Sequence, residues 1–156
     1  MKYLPNFVTL DGRWESFGKT YIDFPNSEKL PGVKKKSFAL RFNGGEIWFE
    51  HLDGMYQYTE LVLEKLKNDS DIFLLPSKPA NIAFVMDETL ITENVIDEIV
   101  RLLCSDRKKF MRVCFTGTDR KSKRLLKYAL CNKGTFAVAF INDTEKAKEW
   151  LIKPSG

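Results

Sequence analysis

FVMDETLITEN, residues Phe84–Asn94, is where an apolar run gives way to charge, and its reading decides the fold. With the two residues before it, the run Ile82–Met86 (IAFVM) is a compact apolar stretch of strand length. It ends in the acids Asp87 and Glu88. Thr92 then offers a side-chain oxygen to cap a helix, and Glu93 places a negative charge at the positive end of the helix dipole. Val95, Ile96, Ile99, Val100 and Leu103 recur at helical spacing and define one buried face. A buried strand feeding a capped amphipathic helix is the building unit of α/β folds.

The same unit repeats downstream. MRVCFTG (Met111–Gly117) predicts a strand, followed by a helix with Asp119 at its N-cap and Leu125, Leu126, Ala129 and Leu130 inward. TFAVAFI (Thr135–Ile141) predicts a third strand, and Thr144 is expected to cap a last helix that buries Ala147, Trp150 and Leu151. Upstream, Ser37–Leu52 reads as a β-hairpin, because Asn43-Gly44-Gly45 accepts the positive φ that tight hairpin turns require. Met55, Tyr58, Leu61, Val62 and Leu66 form a helical stripe. Residues 68–81 read as a loop, with a short strand at Ile72–Leu75. The predicted class is α/β: a mixed sheet with an N-terminal β-hairpin and crossover helices, in a single domain over residues 37–156. Residues 1–36, rich in aromatics and broken by proline and glycine, are expected to form an arm packed on that domain, with a strand-like TYIDF at Thr20–Phe24.

Composition sets further bounds. A chain of 156 residues with 44% hydrophobic content can bury a core of its own. No apolar run approaches the roughly 18 residues of a membrane span, and the first residues lack the apolar core of a signal peptide. A soluble, cytoplasmic protein with no membrane partner is expected. Cys104, Cys114 and Cys131 have no paired spacing and His51 is the sole histidine, which points to reduced, structural thiols and no metal site. The net charge of +4 is small but unevenly placed. Asp119 is the only acid between Arg107 and Lys133, where ten bases fall, whereas Asp87–Glu98 holds five acids and no base. Opposed acidic and basic surfaces follow, suited to a charged partner or to self-pairing.

Val85-Met86-Asp87-Glu88-Thr89-Leu90 resembles the opening Asp-x-Asp-x-Thr-Leu motif of haloacid dehalogenase-like phosphatases, with Thr116 and Asp143 in place of later motif residues. Valine stands where the nucleophile belongs. Losing a covalent nucleophile commonly costs a factor on the order of 10⁴ to 10⁶ in rate. Phosphatase activity is not expected.

The order hairpin, helix, then strand and helix repeated to a short final helix resembles STAS domains, the fold of bacterial anti-sigma-factor antagonists. A flavodoxin-like or another small α/β sandwich fits the same order. The family's Ile-Asp-Ser-Ser-Gly-Leu stretch is matched by Ile91-Thr92-Glu93-Asn94-Val95-Ile96, and the closing INDTEKAKEWL looks similar as well. The family's phosphorylatable serine falls at Glu93 or Asn94, so a kinase switch is not implied here, while partner binding through the helix is. The expected partner-binding residues are Asp87, Glu88, Thr92, Glu93, Asn94 and Asp97.

FTGTDRKSK (Phe115–Lys123) offers Thr116, Thr118, Arg120 and Lys121 as a possible anion site at a helix start, although the phosphate-loop spacing is absent. Nucleic acid is not an expected partner, because Phe110, Phe115 and Tyr128 read as inward-facing. His51, alternating with apolar residues in a strand pattern, suggests a surface or cross-strand role. The sequence therefore points to a non-enzymatic module, without cofactor, that sequesters or regulates another protein with a basic surface. A STAS-like regulator or a toxin-neutralising immunity protein would fit. The alternative is a small-molecule or phosphate-ester-binding domain using Asp87, Thr116 and Asp119 at the strand ends.

Overall fold

The computed structural model describes residues 13–15, 21–23 and 35–153. Phe38–Phe42 (β3) and Gly45–His51 (β4) form the expected hairpin, with Phe38 opposite Phe49 and Phe42 opposite Gly45. Asn43 at φ 45° and Gly44 at φ 86° supply the two left-handed residues of its turn. Upstream, Arg13–Glu15 (β1) and Tyr21–Asp23 (β2) pair antiparallel as a separate ribbon. The expectation of an arm packed on the domain concerns residues that lie, apart from these strands and Lys35–Lys36, outside the described ones.

After the hairpin the chain runs through α1 (Thr59–Phe73), β5 (Asn81–Val85), α2 (Glu93–Leu103), β6 (Arg112–Thr116), α3 (Arg120–Leu130), β7 (Ala137–Phe140) and α4 (Thr144–Ile152). Together these elements make one α/β domain on a five-stranded mixed sheet in the order β3-β4-β5-β6-β7, with only the β3–β4 pair antiparallel. Each parallel strand lies beside its predecessor, so the crossovers all step the same way across the sheet. Their common handedness puts α1, α2 and α3 on one face. That face buries Trp48, Ile82, Phe84, Val113 and Phe115 against Leu66, Ile99 and Leu126. The other face, Ile47, Phe49, Ala83 and Cys114, is covered by Ala147 and Leu151 of α4.

Three elements differ from the sequence reading. α1 starts at Thr59 rather than near Met55 and continues to Phe73, so the expected loop at residue 68 and strand at Ile72 are helix instead. The polar string Asn68–Asp71 stays helical because Asp69 pairs with Lys65 one turn earlier, Ser70 donates to the Lys67 carbonyl, and Phe73 is fully buried. α4 is capped by Asp143, whose carboxylate accepts from the amides of Glu145 and Lys146, and not by Thr144. Tyr128, read as inward, is 84% exposed. The buried residues of α3 are Ser122, Leu126 and Leu130, and a residue two positions from 126 lies about 200° around the helix.

Among the described residues no helix is long and apolar enough to cross a membrane, and no group of three or more His, Cys, Asp or Glu side chains is arranged to hold a metal ion.

Candidate functional site

The C-terminal ends of β4, β5 and β6 carry most of the polar side chains singled out in the sequence. The turn after β5 is stitched to the turn after β4. Gly54 N–H donates to Asp87 O, Tyr56 N–H to Glu88 O and Leu90 N–H to Tyr56 O. The Thr89 hydroxyl donates to the Leu52 carbonyl and accepts from the Met55 amide. Glu88 takes a left-handed φ of 54°, and its carboxylate accepts from the Tyr56 hydroxyl at 3.0 Å. This lattice fixes where α2 begins. Thr92 then caps it, accepting from the Val95 amide at 3.4 Å, so its hydroxyl is occupied within the fold.

The predicted partner-binding residues separate into two groups. Asp87 and Glu88 belong to the strand ends. Asp87 lies against Gly117, which sits at φ 75° and donates its N–H to Asn142 Oδ1 at 3.0 Å. Close by, Asp53 receives Lys35 Nζ at 2.6 Å and the His51 Nδ1–H at 3.0 Å. Burial opposes ionisation of Asp53, but the His51 and Lys35 hydrogen bonds outweigh it and bring the carboxyl down to about 2. His51 is thus a half-buried ring oriented by a carboxylate and stacked with Phe38 and Phe49, rather than a free surface side chain.

Glu93 and Asp97 form the second group, with Asn94 exposed beside them. They line an open groove of about 650 Å³ between α2 and α3, whose apolar walls are Ile96, Val100, Leu125 and Ala129 and whose rim carries Tyr128. The acidic and basic surfaces are therefore neighbours in one helix layer, not opposed. Among the described residues neither acid forms an ion pair, and neither do Lys121 and Arg124, exposed on α3.

At the predicted anion site, Arg120 and Lys121 are exposed and Thr118 is half-buried. Thr116 is only 2% exposed, so its hydroxyl is turned away from any ligand at this turn. Asp119 is used as the α3 cap, accepting from the Ser122 amide at 2.7 Å; that hydrogen bond holds its carboxyl below the usual range. Of the thiols, Cys114 is buried and unpaired, and burial pushes it up to about 11, whereas Cys104 and Cys131 are exposed rather than core residues.

One constellation escaped the sequence reading. Glu50 is fully buried between β4 and α1, with Oε1 accepting from the Trp48 indole N–H at 3.0 Å. Burial, and after it the neighbouring Asp69 carboxylate, pushes Glu50 up to about 9, against the pull of the indole. The proton therefore sits on Glu50. Burial raises Asp69 too, but the neighbouring protonated Glu50 and the hydrogen bonds from Lys65 and Ser37 hold it below the usual carboxylate range. Lys65 Nζ donates to Asp69 at 2.6 Å and to Ser37 Oγ at 2.7 Å. Ser37 Oγ also accepts from the His51 amide and donates to Asp69, which uses all its hydrogen-bonding capacity. Strand parity carried a signal for this cluster: Glu50 shares the inward face with Trp48 and Leu52.

No protein-family profile, no curated protein and no solved structure matches this chain.

Proposed function

We propose that this protein is a non-enzymatic binding module that sequesters or regulates a partner protein, engaging a basic surface through Glu93, Asn94 and Asp97. The observation that carries the reading is the α2–α3 groove, which joins apolar walls to two exposed acids without ion-pair partners among the described residues. Unpaired charge rimming an apolar surface favours a complementary partner through faster encounter and rejection of like-charged competitors.

A STAS-like regulator accords with the hairpin-first, sequential strand order. With Glu93 in place of a phosphorylatable serine, the acidic face is permanently charged, as an immunity protein facing a basic toxin requires. The free thiols of Cys104, Cys114 and Cys131 accord with a reducing, cytoplasmic location.

The test is capture of partners from source-cell extract on three baits: the native chain, Glu93→Lys/Asp97→Lys, and a control, Glu149→Lys, altered on the exposed side of α4. A stoichiometric basic protein held by the native and control baits and lost from the double variant is the expected result. Equal recovery on all three baits would overturn the assignment of this face.

A further inference from the structure

β7 ends the sheet on the side away from the hairpin. The amides of Ala137 and Ile141 turn inward, to the carbonyls of Met111 and Phe115 on the β6 side. Successive residues of a strand direct their backbone groups to opposite edges, so the N–H and C=O groups of Val138 and Phe140 point outward. Among the described residues no strand pairs with them. The strand is apolar throughout, AVAF, yet none of its residues is buried. On the α3 side, Val138 and Phe140 share a hollow of about 220 Å³ with Lys127, Leu130 and Cys131. Lys123 and Lys127, one turn apart on α3, hold their ammonium groups 5.8 and 5.7 Å from the centre of the Phe140 ring. Like charges at that spacing on a helix repel, and among the described residues neither lysine is offset by an ion pair.

We propose that the outer edge of β7 takes an extended segment of another protein, bearing apolar and acidic side chains, as an added strand. An apolar edge left open is a template for a further chain. Val138 and Phe140 offer it their N–H and C=O groups. Main-chain bonding of this kind supplies affinity, and pockets for alternate side chains supply specificity. A strand added at the usual spacing of about 4.8 Å sets every second side chain beside Val138 or Phe140, over the hollow. An apolar side chain there packs on Val138 and Leu130, and a carboxylate two residues away meets Lys123 and Lys127. Pairing β7 with that of a second copy about an axis normal to the sheet would keep both α3 helices on one face. It would bring the lysines of one copy toward those of the other, base on base, whereas an acidic segment is complementary. The site lies across α3 from Glu93 and Asp97: Leu125, Tyr128 and Ala129 line the groove with α2, and Lys127 and Leu130 the hollow at β7. It stands independently of the function proposed for that groove.

The test uses the full chain and a labelled peptide repeating Val-Val-Glu-Glu, which when extended shows valine and glutamate in turn on each face. Fluorescence anisotropy is expected to record saturable binding, and hydrogen exchange to show the Val138 and Phe140 amides newly protected in the complex. The same peptide N-methylated throughout keeps its charge but cannot donate, and is expected to bind at least about tenfold more weakly. Lys123→Glu/Lys127→Glu should lose the acidic peptide and gain a counterpart repeating Val-Val-Lys-Lys, a gain that also shows the variant to be folded. Absence of saturable binding to the native chain overturns the proposal. So does binding that leaves the Val138 and Phe140 amides exchanging freely, or that polyglutamate or the N-methylated peptide matches, since charge alone would then account for it. Binding of the acidic peptide that survives the lysine reversal overturns it as well.

Discussion

The carboxylate of Asp87 rests directly against Gly117, and the contact depends on there being no side chain at Gly117. A Cβ built there would overlap the Asp87 carboxylate and approach its backbone nitrogen, and the φ of 75° disfavours any L-residue besides. Gly117→Ala is expected to destabilise the protein by about 2–3 kcal/mol. Thermal unfolding should record a fall in Tm of about 5–10 °C for a domain of this size. Removing the side chain in Asp87→Ala/Gly117→Ala should recover only part of this, since the backbone collision and the strained φ remain.

Glu50 gives a pH dependence of defined sign. Its pKa rises from 4.5 to about 9 on folding, so between those values the folded chain holds a proton that the unfolded chain has lost. Stability falls with rising pH across that window, by about 1.4 kcal/mol per unit from this group, and levels off above it. Glu50→Gln keeps the acceptor for Trp48 and an N–H₂ group beside Asp69 but cannot ionise. Urea denaturation at pH 5.5 and 8.5 should show the variant close to native stability at the lower pH and more stable than native at the higher. Asp53, whose carboxyl is held down at about 2, contributes fully at every pH in this window and loses its contribution only as the pH falls from 3.8 towards 2, so it adds no slope here.

Lys108 closes the end of α1 from a distance in sequence. Its Nζ donates to the carbonyls of Phe73, Leu75 and Lys78 at 2.7, 3.0 and 2.9 Å. Lys108→Met fills a similar volume and leaves those acceptors unsatisfied, at an expected cost of about 2–4 kcal/mol. Hydrogen exchange should localise the loss to Ser70–Lys78. An unchanged denaturation midpoint would show that water replaces the ammonium without penalty.

Asp119 and Thr92 cap neighbouring helices with different strength. Asp119 reaches the Ser122 amide at 2.7 Å, Thr92 the Val95 amide at 3.4 Å. Asp119→Ala is expected to cost about 1 kcal/mol, and Thr92→Ala less, in matched urea titrations. Because the cap holds the Asp119 carboxyl low, its contribution is present at neutral pH and is lost as the pH falls through its folded-state pKa.

The alternation of buried strands and capped helices from Ile82 onward was legible, because each strand is apolar on both faces and each helix has one apolar stripe. The C-terminal half of α1 was not. Its inward face includes Lys65, Asp69 and Ser70, which serve the buried Glu50 cluster or the helix itself and made the segment look like loop. Tyr128 was misplaced because an aromatic ring is not buried where the helix turns it outward. Of the candidate site, the acids were legible, but their division between strand ends and groove was not. That depends on the turn stitched by Tyr56 and Thr89, more than thirty residues apart in the chain.

The sequential strand order bears on how the chain acquires its shape. With β3 through β7 adjacent in sequence and in space, each strand leaving the ribosome meets a neighbour already made. No strand must wait for a later one to be inserted between existing partners. The sheet can grow by accretion from the hairpin, each parallel pairing closing over a crossover that contains a whole helix, a long-range step that sets the pace of folding. A nascent chain halted after β6 would already hold the α1–α2 core in place, and β7 would arrive as the last, most lightly held edge.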